Sequence, residues 1–185
     1  VPTATTTVDT SGWATFSADA PGRYPYTFKY PPYPYSSQSD ASSGRDPASR
    51  DITITFDIQR TDDRTGKAVD GPVWFEATYY DNHRRFSPAQ FAATELVPEA
   101  ITNPRDITLN GMRGYEFTFP KDEQDPFFVP DMRYVYLLGE NGLMYLVKHT
   151  NMNTLIGADA ETRIKYSAIF QTMANSFRPV LRAGA

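Results

Sequence analysis

The chain has 185 residues, a formal net charge of −4 and no cysteine. That length suits a single domain with a sizeable core. The acidic balance argues against a nonspecific nucleic-acid binder, which needs a basic stripe, and the missing thiols exclude disulfides, thiol nucleophiles, iron–sulfur clusters and cysteine-held zinc. An aromatic content of 14% favours a β-rich, packed globule over disorder, and no apolar run approaches the ~20 residues of a membrane-spanning helix.

Residues 1–12 are Thr-rich and polar and read as a linker or arm. A start of this kind, without an initiator Met, is common after a signal or lipid-anchor cleavage site. It predicts an extracytoplasmic protein, whether secreted, periplasmic or at the cell surface, with lipid attachment as one form. A chain cut at a domain edge is the alternative. Residues 13–180 then form one domain, and 181–185 a short tail.

Trp13–Ser17 reads as a short strand. Arg23–Tyr35 (RYPYTFKYPPYPY) interleaves aromatic residues with four prolines. Tyr26–Tyr30 suits a strand that Pro31, Pro32 and Pro34 must end, because proline offers no N–H to a ladder and restricts its predecessor. One reading is a partner-binding patch of Tyr24, Tyr26, Tyr30, Tyr33 and Tyr35, extended by Phe127 and Phe128 of a later Pro-rich loop. The other, which is favoured, is an edge strand whose tyrosines cap the core while its prolines block further pairing.

Ser36–Arg50 is a polar Gly/Ser/Asp-rich stretch and reads as a long loop. Asp51–Gln59 alternates, with Ile52, Ile54, Phe56 and Ile58 on one face, as a strand with one wet side requires. Thr61–Asp70 reads as a charged turn region and Val73–Tyr80 as a strand. Ser87, Pro88 and Gln90 spell a capping box with Pro at the first helical position, flanked by Phe86 and Phe91 as a hydrophobic staple; the helix should run from Pro88 to Val97 and stop before Pro98. Ile107–Asn110 and Met112–Phe119 read as two strands, or one bulged strand, broken at Asn110-Gly111.

RYVYLLG and LMYLVKH flank Glu140-Asn141-Gly142 and predict a hairpin with positive φ values at Asn-Gly. Both strands are apolar on both faces, so each side of their sheet needs a cover. A helix capped by Asp159 supplies one, with Tyr166, Ile169, Phe170, Met173 and Phe177 on a single stripe. The order of elements points to an α+β fold with a mainly antiparallel sheet between helical layers.

The early Trp13, the Tyr30-Pro31 step, the alternating strand, the Ser-Pro helix, Leu109-Asn110-Gly111-Met112-Arg113-Gly114, the Tyr-rich hairpin and the closing Asn175-Ser176-Phe177 together resemble the PsbP-like superfamily, and are closest in style to its extracytoplasmic bacterial relatives. The likeness covers roughly 13–180. It implies an α/β/α sandwich around a central antiparallel sheet, and an accessory or assembly subunit rather than an enzyme. No functional residue carries over, because no position-specific motif matches.

The chemistry-bearing residues are sparse. His83 and His149 lie in no nucleophile motif, and each reads as structural or solvated. Asp122, Glu123, Asp125 and Asp131 lack the spacing of a calcium loop and read as a solvated acidic loop, as do Asp62, Asp63 and Asp70. Arg84, Arg85, Arg113 and Arg133 would form an anion site only if they converged. No catalytic residue, metal ligand or cofactor is assigned. The expected function is a noncatalytic accessory module that binds a protein partner at a membrane or cell-surface complex. A small-ligand binder with a pocket between the sheet and the Ser36–Arg50 loop, or a carboxylate-based hydrolase, are the alternatives.

Overall fold

A computed structural model describes residues 7–16, 25–32, 37–42, 50–62, 65–96, 100–120 and 131–180. The elements in chain order are β1 (Ala14–Phe16), β2 (Tyr26–Tyr30), β3 (Ser37–Ser42), β4 (Arg50–Thr61), β5 (Ala68–Asp81), α1 (Pro88–Glu95), β6 (Thr102–Leu109), β7 (Met112–Phe119), β8 (Met132–Leu138), β9 (Leu143–Thr150), α2 (Ala160–Ser176) and β10 (Arg178–Pro179). Seven strands form one sheet in the order β3-β4-β5-β9-β8-β7-β6, and β1-β2-β10 form a second. Every pairing is antiparallel. The fold is α+β. Among the described residues, no helix is long and apolar enough to cross a membrane.

The side-chain period of two sorts the large sheet into two faces. Ile52, Ile54, Phe56 and Ile58 of β4 are buried together with Phe75, Ala77, Val135, Leu137, Tyr145 and Val147. Onto this face pack Phe28 of β2 and Phe170 and Met173 of α2. Phe117, Tyr136, Met144 and Leu146 point the opposite way and meet Phe91 and Ala92 of α1. Both faces of the β8–β9 hairpin are therefore covered, as their two-sided apolar pattern demands.

The local signals act as read at the helix starts. The Ser87 hydroxyl accepts the Gln90 N–H while the Gln90 side chain accepts the Ser87 N–H, which completes the capping box. Asp159 caps α2 by accepting the Thr162 N–H at 2.7 Å.

Several boundaries differ from expectation. Ser37–Ser42, expected within a loop, is an edge strand laddered to β4 from Ser37↔Thr55 to Ser42↔Arg50. One ladder of backbone hydrogen bonds suffices there, so a polar sequence without alternation pairs as well as an apolar one. The expected turn at Thr61–Asp70 is shorter, because β4 runs to Thr61 and β5 begins at Ala68. Helix α1 ends at Glu95, with extended Leu96 as its C-cap, rather than at Val97. Strand β6 starts at Thr102 and absorbs a register shift before Arg105.

The two Asn-Gly steps also part ways. Asn110 (φ 54°) and Gly111 (φ 82°) both take positive φ in a two-residue turn between β6 and β7. In the β8–β9 turn only Gly142 does (φ 77°), its N–H donating to the Gly139 carbonyl at 3.0 Å. That turn is a type I turn closed by a glycine bulge.

Candidate functional site

The aromatic residues expected at a partner surface do not form one among the described residues. Tyr26 is fully buried: its hydroxyl donates to the Ala77 carbonyl at 2.8 Å and its ring stacks on Phe177 at 5.3 Å. As a partner-facing residue Tyr26 is thus corrected to a core residue, placed there because β2 crosses the apolar face of the large sheet. Tyr30 is half-buried beside Phe28, with ring centroids 6.1 Å apart, in keeping with a tyrosine that caps the core. Tyr24, Tyr33, Tyr35, Phe127 and Phe128 lie outside the described residues, as do Asp63, Asp122, Glu123 and Asp125.

The two histidines occupy opposite environments. His83 is 85% exposed and pairs with Asp81 at 3.0 Å in the turn before α1. His149 is buried near the end of β9, and its Nδ1 lies 2.9 Å from the Thr150 carbonyl. A carbonyl only accepts, so Nδ1 carries the proton and the ring is held in one tautomer. Burial depresses the His149 pKa to about 4; the Thr150 carbonyl opposes that shift, while the Arg133 charge adds to it. The ring is neutral at physiological pH and rests against Phe170, with centroids 5.1 Å apart.

His149 borders the feature the sequence did not disclose. A cleft of about 830 Å³ separates α2 from strands β6–β9. Strand register builds its floor. Glu116 faces Val135, Thr118 faces Arg133, and Arg133 faces His149, so these polar side chains from three strands meet on the face that α2 covers. Helical spacing builds its wall: Arg163, Ser167, Gln171 and Asn175 recur every fourth residue of α2 and border the cleft. The core-facing stripe, with Phe170 and Met173 buried, lies on another side of the same helix.

Glu116 is the centre of charge. Arg105 Nη2 donates to both carboxylate oxygens at 3.0 Å, and Arg133 Nε stands 2.7 Å from Oε1. Arg133 also donates from Nη1 to Gln171 Oε1 at 3.2 Å, which ties the floor to α2. Burial alone would raise the Glu116 pKa, but the hydrogen bonds and charges of Arg133 and Arg105 outweigh it and hold the carboxyl below its ordinary value. Glu116 is therefore a fixed carboxylate with both oxygens engaged, unsuited to proton transfer. Among the described residues no three His, Asp or Glu side chains gather closely enough to hold a metal.

Of the arginines considered from sequence, only Arg133 enters this cleft; Arg84 borders a separate surface recess beside α1 and Arg113 another beside the β6–β7 turn. Arg105 and Arg163 complete the set and escaped sequence reading. A scan against protein-family models gives no match, and a search of curated proteins finds no relative.

Proposed function

We propose that this chain is a noncatalytic binding module of PsbP-like α/β/α architecture, acting outside the cytoplasm as an accessory subunit of a membrane or cell-surface assembly. The cleft over α2 and β6–β9 is its binding element. The observation that carries this reading is the state of the cleft's polar groups. Its one described carboxylate is clamped between two arginines, and its histidine is neutral with Nδ1 committed to a backbone carbonyl. Groups engaged in this way recognise and orient; they do not shuttle protons.

The recognised group belongs to a partner chain on this reading. The native mass of the protein, extracted gently from its source with its co-purifying chains identified, tests it: a stable assembly supports the reading, and a monomer under all conditions removes it. Tyr33→Ser with Tyr35→Ser, outside the described residues, should weaken the same assembly if the Tyr/Pro segment also contributes. Unchanged partner retention in a pull-down counts against that segment.

A small-molecule ligand is the second reading, favoured by the cleft volume, which lies in the range of roughly 300–1,000 Å³ typical of such sites. That volume is bounded by α2, and β3 is at the other edge of the large sheet, away from β6–β9. Residues 36 and 43–49 of the Ser36–Arg50 stretch lie outside the described residues, and with them the pocket expected beside it; this reading uses the α2 cleft. A hydrolase built on two carboxylates would need a second acid next to Glu116, and the described lining of the cleft contains none.

A further inference from the structure

We propose that the α2 cleft recognises a carboxylate, with Arg163 as the residue that binds it; this deepens, and rests on, the reading of the cleft as a binding site. The charge balance comes first. The chain as a whole is acidic at −4, yet the described lining of this cleft sets three arginines against one glutamate, with His149 neutral. A positive recess in an acidic protein concentrates anions locally, because low-dielectric walls focus the field.

The individual arginines then separate. Arg105 and Arg133 both pair with Glu116, a cluster that keeps one positive charge in excess, and Arg133 also holds Gln171. The Arg133 Nε also lacks an aligned hydrogen bond but stands 2.7 Å from a Glu116 oxygen, whereas among the described residues no carboxylate lies that close to Arg163. The Arg163 Nε is buried without a hydrogen-bond partner, and among the described residues its guanidinium makes no ion pair or hydrogen bond. Asp159, one turn earlier on α2, attracts Arg163 electrostatically, but its carboxylate accepts the Thr162 N–H as the helix cap. A buried, unmet donor on a permanently charged fork is costly to keep unless something accepts from it.

The ligand class follows from the number and kind of donors. A guanidinium fork matches a planar carboxylate in a two-point contact. Ser167 and Gln171 line the cleft one and two turns along α2; the Ser167 hydroxyl and the second amide N–H of Gln171, whose first goes to Asn175 at 3.0 Å, offer further hydrogen bonds to the group that bears it. A phosphate dianion fits less well, since only one arginine of the described lining has no ion pair, and α2 opens on an acidic N-cap, Asp159, with Glu161 in its first turn.

The test is an amide-resolved NMR titration of the full chain at fixed ionic strength with N-acetylglycine, its neutral amide N-acetylglycinamide, and inorganic phosphate. N-acetylglycine should shift Ser167, Gln171 and the Arg163 Nε–H. Arg163→Gln should weaken its binding about tenfold, and Arg163→Lys, which keeps the charge, should lose less. Unaltered thermal melting of both variants shows that the fold is intact. Equal binding of N-acetylglycinamide, tighter binding of phosphate, or undiminished binding by Arg163→Gln overturns the proposal while leaving the cleft a binding site. A cleft silent to all three probes overturns it as well. The binding-module reading falls separately, if filling the cleft leaves the native assembly unchanged. A free acid and an acidic group of a partner chain present the same carboxylate. Release of partner chains from the assembly by excess N-acetylglycine assigns it to the partner, and retention assigns it to a free acid.

Discussion

Acidification should destabilise this protein through a single buried ring. His149 has a pKa of about 4 in the folded chain, against 6.5 for an ordinary histidine. Below pH 6.5 the unfolded chain takes up a proton that the folded chain refuses, so the stability contribution is complete above 6.5, declines as the pH falls, and is gone below the folded value. At ~1.4 kcal/mol per pH unit, the difference amounts to about 3 kcal/mol, a large fraction of the ~5–15 kcal/mol that holds a domain together. Glu116 acts in the same direction at lower pH, because its folded pKa is also depressed and its contribution disappears as the carboxyl protonates. The comparison with His149→Phe isolates the histidine. Phenylalanine retains the packing on Phe170 but loses the bond to Thr150, at a cost of about 1 kcal/mol at neutral pH. Urea unfolding of both proteins from about pH 7 to about pH 4 should show wild type losing about 3 kcal/mol relative to the variant. A stability difference that stays constant across that range would refute the buried, neutral histidine.

Other substitutions probe the elements around the cleft. Glu116→Gln should cost about 3 kcal/mol by leaving Arg133 uncompensated, whereas Arg105→Gln, removing an arginine 63% exposed, should cost under about 1 kcal/mol; chemical denaturation separates the two. Gly157→Ala should lower stability by at least about 2 kcal/mol, because Gly157 has φ +80° and an added Cβ would collide with the Thr61 carbonyl oxygen. Since the Thr61 N–H donates to the Gly157 carbonyl at 2.9 Å, that variant should also loosen the segment leading into α2, visible as faster amide exchange at Thr61. Ser87→Ala should cost about 1 kcal/mol by opening the capping box of α1, with little effect on the cleft, which α1 does not line.

Local chemistry made part of this fold readable and left the rest to register. The period-two pattern of Ile52, Ile54, Phe56 and Ile58 identified the buried face of β4, and the caps at Ser87 and Asp159 fixed both helix starts, because each signal lies within a few residues. Edge strand β3 escaped because its stability comes from backbone bonds to β4 that its Ser-rich sequence does not advertise. Tyr26 was legible only in part: of the two readings of its Tyr/Pro-rich segment, the favoured one had the tyrosines cap the core, while its complete burial comes from the crossing of β2 over the sheet. The cleft needed both kinds of information. Its α2 wall was open to view as the every-fourth-residue stripe from Arg163 to Asn175, but this reads alone as a solvated helix face. Its floor comes from Glu116, Arg133 and His149 in three strands, which are far apart in sequence and meet only through the β7–β8–β9 register. The one available clue was polarity at core-facing positions of strands otherwise apolar on both sides.

The most direct test of a binding role for the cleft fills it. Ser167 lies on the α2 wall, and Ser167→Trp would put an indole into the space between α2 and the sheet. The native mass and co-purifying chains of this variant, compared with wild type in the same source, decide the matter. Wild type should run in an assembly larger than its own 20.8 kDa, and Ser167→Trp, folded by circular dichroism, should run free of it. An assembly that retains the variant at the wild-type level would contradict the account.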